Sequence, residues 1–380
     1  MSEIYLVFVV FLFVLAVFDL MVGVSNDAVN FLNSAIGAKV AKFRTIIIVA
    51  AVGVFMGATM SNGMMEVARN GVFHPAMFSL KELMFIFLAV MISDVILLDI
   101  FNNLGLPTST TVSLVFELLG GTTAFVLLKL ANDTTGLTVG DLMNTEKALG
   151  MIMAIFVSVA IAFFFGIVLQ YISRLVFTFT YKKNLKWKIG LFGGVATTAI
   201  FYFMLFKGIK SMSFVTPEIY EYIQNHTLAI LGICFLASTA IMQFLYFLKV
   251  NVFKILVLMG TFALAMAFAG NDLVNFIGVP LAGYSSYVDF AANGVSNPST
   301  FMMSSLDGPA KSPLIFLVAA GAVMVFSLAT SKKARNVIKT SVDLSRQSEG
   351  DEMFGSSKIA RVLVRFSNNT ANFFQDVVPD

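Results

Sequence analysis

Apolar residues run along this chain in long blocks instead of alternating with polar ones. Blocks close to the roughly 20 residues a membrane-spanning helix needs lie near 4–24, 43–60, 82–106, 109–130, 147–178, 187–207, 227–248, 252–269 and 313–330. A helix apolar on all sides has no face to turn to water, so each block predicts a helix in lipid. Short polar stretches separate most of them, such as Tyr181-Lys182-Lys183-Asn184 and Ser61-Asn62-Gly63, the latter a turn in its simpler reading and a site element of the second helix in the other. The longest interruption, about 280–312, is rich in Gly, Ser, Asn and Pro and predicts a loop outside the membrane. After Thr330, the residues Lys332, Lys333, Arg335 and Lys339 open a polar tail to Asp380, with an amphipathic surface helix expected near 355–375. The first block follows Ser2 and Glu3 instead of a basic stretch and lacks a small-residue cleavage site. It therefore reads as a membrane helix and not as a signal peptide.

Composition supports this reading, with 58% hydrophobic and 12% charged residues, where soluble domains carry about 25% charged. A net charge of +3 leaves no nucleic-acid footprint. One cysteine, Cys234, excludes a disulfide framework, and with two histidines it cannot build a zinc cluster. The expected fold is an all-α, polytopic membrane helix bundle with inverted-topology repeats, broken helices and a helical hairpin. Residues 1–178 make the first membrane repeat with a hairpin at 82–130, and 179–250 supply connecting helices. Residues 251–330 begin the second repeat, and 331–380 form the tail. Basic residues cluster at Lys39, Lys42 and Arg44, at Lys182, Lys183, Lys186 and Lys188, at Lys249 and Lys254, and in the tail. If the N-terminus lies outside and 82–130 returns to its starting side, every cluster falls in the cytoplasm, as basic residues prefer.

One polar motif is buried twice. Asn26-Asp27-Ala28-Val29-Asn30-Phe31 reappears as Asn271-Asp272-Leu273-Val274-Asn275-Phe276, with five identities in six positions. The topology puts the copies on helices of opposite direction, an inverted repeat of the kind that places a transport site near the midplane. An aspartate at the centre of a membrane helix is disfavoured by roughly 2.5–3.5 kcal/mol, so the motif pays its way by binding something. Asp27 and Asp272 favour a cation, while Asn amides can serve a cation and an oxyanion together. A polar cluster that only locks two helices is the bland alternative, though small residues usually do that work.

The second constellation is Leu104-Gly105-Leu106-Pro107-Thr108-Ser109-Thr110-Thr111, between two apolar blocks. Gly105 and Pro107 end one helix and the hydroxyl run can cap the next. A helix start inside the membrane offers free N–H groups and a positive dipole end to an anion, and Ser109, Thr110 and Thr111 add donors. An ordinary loop with capping hydroxyls is the plain alternative. Asp19, Asp94, Asp99 and Glu117 are further charged residues in apolar blocks, for which a site or proton-relay role competes with pairing to Lys129 or reaching the interface.

Together these constellations resemble the inorganic phosphate transporter family, the sodium- or proton-coupled phosphate permeases. That family carries a Gly-Ala-Asn-Asp-Val-Ala-Asn-type signature and a Leu-Gly-Leu-Pro-Val-Ser-Thr-Thr-type hairpin tip in each half. The resemblance covers the chain to about residue 340. It implies that Asp27 and Asp272 bind a coupling ion, sodium or a proton, and that Asn26, Asn30, Asn271 and Asn275 join them around phosphate. Ser109, Thr110 and Thr111 would hold phosphate oxygens, no further cofactor being needed. Val24 and Ser25 replace the family's Gly-Ala. No second hairpin tip is found, since the repeat would place it near 352, where the chain reads Gly350-Asp351-Glu352-Met353. The expectation is therefore a phosphate carrier in the cell membrane, N-terminus outside and tail inside, completed by a missing C-terminal part or a homodimer partner. Two alternatives stand beside it. One is a channel or permease for another oxyanion such as sulfate. The other is an intramembrane aspartyl or seryl enzyme, for which no His-Glu-x-x-His or Gly-x-Ser-x-Gly motif speaks.

Overall fold

The structure is a computed structural model, and it describes residues 2–61, 66–132, 136–177, 185–208, 216–294, 297–308 and 312–344, with a few positions between 361 and 368. Thirteen α-helices follow one another among the described residues: α1 (Ser2–Gly37), α2 (Phe43–Met60), α3 (Glu66–Asn70), α4 (Leu80–Leu104), α5 (Thr110–Ala131), α6 (Val139–Leu142), α7 (Thr145–Phe177), α8 (Lys188–Gly208), α9 (Pro217–Asn225), α10 (Thr227–Phe247), α11 (Val252–Ala292), α12 (Leu314–Thr330) and α13 (Lys332–Leu344). Seven of them are long and apolar enough to cross a membrane, or eight if α12 and α13, bent by 66° at Ser331, count as one span. In lipid only a helix or a closed barrel satisfies every backbone N–H and C=O, so long apolar blocks fold as helices whatever their propensities. The chain is a polytopic helical membrane bundle.

Residues 1–341 form one compact unit, and residues 342–380 form a second whose described positions are helical. The surface helix expected near 355–375 lies largely outside the described residues, as do Asn62, Gly63, Lys182, Lys183, Asn184 and the 350–353 stretch.

Two elements differ from the sequence reading. The loop expected from 280 begins only after Ala292, because α11 continues through Pro280. Proline removes one backbone donor and usually breaks a helix, but here buried neighbours enforce it: Gly283 faces Leu12, Phe87 and Met84. The tail is likewise not wholly free. From Lys332 it forms α13, which buries Ala334, Val337, Ile338 and Thr340. Asn33 Nδ2 donates to Ser341 Oγ at 2.9 Å, Lys333 pairs with Asp99, and Gly105 at the hairpin tip lies under Thr340.

The two motif helices run antiparallel. Tyr5 meets Phe290, Leu12 lies at Gly283, Gly23 at Phe276 and Phe31 at Phe268, so one number falls as the other rises. The contact of Gly23 with Phe276 becomes that of Phe268 with Phe31 when one motif copy is exchanged for the other. This is the signature of a pseudo-two-fold axis, with Asp27 and Asp272 midway between the contacts. The helix after each motif helix packs mainly on the other copy: α2 on α11, and α12 on α1 and α2. Gly53 and Gly57 of α2 let its backbone approach Phe262 and Met266 of α11, the small-residue contact typical of membrane helices. At the periphery, α8, α10 and α11 share an apolar cluster of Ile189, Met242, Val252 and Leu256. The central apolar stretch of α7 is left uncovered by protein, a surface suited to lipid.

Candidate functional site

The break between α4 and α5 sets the site. Gly105 closes α4 in the left-handed conformation (φ 68°, ψ 26°), and Leu106 N–H returns to the Phe101 carbonyl at 2.9 Å, which ends the helix sharply. Ser109 then caps α5 by accepting Val112 N–H on its hydroxyl. The intervening tip is held by one buried side chain. Asn26 Nδ2 donates to Asn102 Oδ1 at 2.8 Å and to the Leu106 carbonyl at 3.1 Å, while its Oδ1 accepts Thr108 N–H at 2.8 Å. Asn102 in turn donates to the Val22 carbonyl at 2.7 Å. Asn26 and Asn102 are fully buried.

Beside this tip opens a cavity of about 440 Å³ lined by Asp27, Asn30, Phe268, Asp272 and the run from Pro107 to Thr111. Thr110 Oγ1 donates to Asp27 Oδ2 at 3.3 Å, and Thr111 Oγ1 to Asp272 Oδ1 at 3.4 Å. Asn275 Nδ2 lies 3.1 Å from Thr110 Oγ1, 3.0 Å from Thr111 Oγ1 and 3.4 Å from Asp272 Oδ1, tying both hydroxyls to the second motif copy. The two carboxylates line the same cavity, and among the described residues no basic side chain joins them there. The first turn of α5 points its N–H end at the same space, a positive partial charge opposite two negative ones.

The expected site residues thus divide. Asp27, Asn30, Asp272, Ser109, Thr110 and Thr111 line one cavity, and Asn275 braces it. Asn26 instead faces the hairpin tip, and Asn271 lies off the cavity. Lys129 pairs with Glu82 at the far end of the hairpin and not with Asp94 or Glu117. Two contributors escaped the sequence reading, Asn102 and Phe268, while Ser61 is open there to a turn or to a site element. The Ser61 hydroxyl donates to the Gly270 carbonyl at 2.6 Å, just before the second motif, and so is more than a turn residue. The only hint was position: Asn102 sits near the end of an apolar block and Phe268 just before the second motif.

The architecture fits a known family, and the phosphate transporter family model matches residues 23–342. The chain belongs to the phosphate transporter family. It is a transporter and not an enzyme, its activity is phosphate transport, and it is a multi-pass membrane protein. A comparison with curated proteins gives no match. Among solved structures, this transporter resembles one described as "The sodium-dependent phosphate transporter" with a TM-score of 0.63 at 19% identity, over 90% of this chain and 79% of that one. At that identity the likeness concerns the fold alone.

Proposed function

We propose that this transporter moves inorganic phosphate inward together with sodium ions, by alternating access around the Asp27–Asp272 cavity. One observation carries the reading: a buried carboxylate, Asp27, and a half-buried one, Asp272, share a cavity with an α-helix N-terminus and two hydroxyls, and among the described residues no basic side chain lines it. Phosphate cannot approach two carboxylates while they stand uncompensated, because like charges repel strongly away from water. Cations held by Asp27 and Asp272 remove that repulsion. The α5 N–H groups with Ser109, Thr110 and Thr111 then meet the phosphate oxygens, and Asn30 and Asn275 serve ion and anion alike. Coupling follows from this order of charges. Carboxylate, hydroxyl and amide oxygens together make the hard oxygen donor set that suits sodium.

The membrane potential supplies direction. Dihydrogen phosphate accompanied by two sodium ions carries one net positive charge, which gains about 2.3 kcal/mol per 100 mV on moving inward. Basic clusters at Lys39–Arg44, Lys186–Lys188, Lys249–Lys254 and Lys332–Lys339 support a cytoplasmic side for those turns and an outer N-terminus in the cell membrane.

The test is uptake of labelled phosphate into proteoliposomes under an imposed sodium gradient. Asp27→Asn and Asp272→Asn each remove one cation partner, a loss of about 3–5 kcal/mol and so roughly more than a hundredfold in uptake. Excess sulfate is expected to compete poorly. Uptake indifferent to the sodium gradient, or unchanged in both variants, would contradict the proposal.

A further inference from the structure

A second polar cluster lies between the hairpin helices and takes no part in the cavity. Ser113 Oγ of α5 is 2.6 Å from Asp94 Oδ1 of α4 and 2.9 Å from Glu117 Oε1, one turn further along α5. The other oxygens, Asp94 Oδ2 and Glu117 Oε2, are buried and meet no donor. From a different helix, Asp19 of α1 is buried to 0% exposure, neither of its oxygens meets a donor, and the group it faces is the Asp94 carboxyl.

Hydrogen counting constrains what this cluster holds. A serine hydroxyl has one hydrogen and can satisfy one of its two short carboxyl contacts; the other needs a hydrogen on the carboxyl itself. Asp19 and Asp94, facing each other away from water, have the same requirement. No lysine or arginine among the described residues answers it. Lys129 is engaged with Glu82 and Lys333 with Asp99, on the same α4 but outside the cluster. The remaining acid beside the cluster is Asp27, further along α1, with Asp272 of α11 beyond it in the cavity, whereas Lys81 of α4 and Lys254 of α11 are exposed at the starts of their helices. Among the described residues no three acidic, histidine or cysteine side chains converge as a metal ion would require.

We infer that Asp19, Asp94, Ser113 and Glu117 form a proton-binding site, distinct from the Asp27–Asp272 cavity, which takes up and releases a proton during the transport cycle. The step is a simple protonation. An O–H bond forms between a carboxylate oxygen and a proton from water on one side of the membrane, and the same bond breaks to water on the other. One positive charge crosses in addition to that of the sodium-phosphate cargo, and nothing is oxidised or reduced. The link to phosphate is mechanical. Ser113 is one turn, about 4.5 Å along the axis, from Thr110, which bonds Asp27. A shift of α5 on phosphate binding therefore changes which carboxyl Ser113 bonds.

The transport part of this inference rests on the phosphate reading above, so the experiment has one arm that does not. Infrared spectra of the full chain in lipid at neutral pH are expected to show the carbonyl band of buried protonated carboxylic acids. That band should shrink in Asp19→Asn, Asp94→Asn and Glu117→Gln and shift in Ser113→Ala, which keeps every carboxyl. All four remove a need for protons or a single hydroxyl, and phosphate binding by the solubilised variants reports that the cavity is intact. In proteoliposomes, dye-monitored proton influx per labelled phosphate should fall several-fold in Glu117→Gln and Asp94→Asn. An acid band unchanged in the three carboxyl variants overturns the inference. So does undiminished proton influx, or loss of sodium dependence in place of proton influx. Absence of phosphate binding in the native chain would refute the phosphate reading instead, leaving the infrared result to judge the cluster.

Discussion

The two copies of the Asn-Asp motif share five of six residues, yet they use their asparagines in opposite ways. In the first copy the leading Asn26 is buried and clamps the hairpin tip, while the trailing Asn30 is exposed to the cavity. In the second copy the trailing Asn275 is buried and holds Thr110 and Thr111, while the side chain of the leading Asn271 makes no hydrogen bond to another described residue. The two copies differ because, among the described residues, the hairpin of α4 and α5 enters beside the crossing point of α1 and α11. Whichever Asn faces that hairpin is bonded to it. The aspartates escape this division since they lie at the crossing itself, each with one hydroxyl of α5.

The comparison breaks most sharply at the leading asparagine. Asn26→Ala deletes three hydrogen bonds and strands Asn102, the Leu106 carbonyl and Thr108 N–H in a buried place. With each orphaned group costing about 1–3 kcal/mol, a loss of roughly 3 kcal/mol or more is expected. Asn271→Ala should change stability by less than about 0.5 kcal/mol. Thermal unfolding of the two variants in detergent checks this; equal effects would mean that the hairpin does not depend on the first copy.

A smaller difference is expected just before each copy, three residues before Asn26 and one before Asn271. A Cβ on Gly23 would fall 2.0 Å from the ring of Phe276, a side chain with 0% exposure and no room to move aside. Gly23→Ala should therefore cost about 1–3 kcal/mol through overpacking. A Cβ on Gly270, beside the second copy, would meet Gly57 O at an ordinary 3.5 Å. Gly270→Ala should be neutral or stabilise slightly, since Ala favours a helix over Gly by about 1 kcal/mol. The same unfolding assay ranks the pair, and a tolerated Gly23→Ala would refute the close crossing of α1 and α11.

Much of this was legible in the sequence because lipid leaves few choices. Long apolar blocks had to be helices, and an aspartate repeated inside them had to face a cavity. Thr110 and Thr111 were found because Gly105 and Pro107 announce a break beside hydroxyls. What stayed hidden depends on distant partners. Asn102 reads as the polar end of α4 until Asn26, 76 positions away, is placed against it. Pro280 and its glycines read as a loop because local preference favours one, whereas packing against α1 and α4 keeps α11 helical. The segment from Lys332 reads as tail because its charges outweigh the buried stripe of Ala334, Val337 and Ile338.

The smallest expected effect tests the symmetry itself. Ser61 ends α2 and donates to the carbonyl of Gly270, the residue before Asn271. Ser331 ends α12, the helix that follows the second motif helix, and its Oγ accepts from the hydroxyl of Ser25 at 2.8 Å, the residue before Asn26. Each half thus sends the hydroxyl at the end of its second helix to the same place in the other half. The bonds differ in one respect. The Ser61 bond supplements a carbonyl already within helix α11, while the Ser25 hydroxyl has further contacts with the Met21 carbonyl and Ser327. Either loss is then worth only about 1 kcal/mol. Because Ser331 Oγ also accepts the Ala334 N–H at 3.1 Å at the start of α13, Ser331→Ala should cost about 1 kcal/mol more than Ser61→Ala, and their double variant the sum, since the contacts share no partner. Strong non-additivity would show that the two ends communicate through the crossing of α1 and α11, and that the pseudo-symmetry is a mechanical coupling as well as a pattern of contacts.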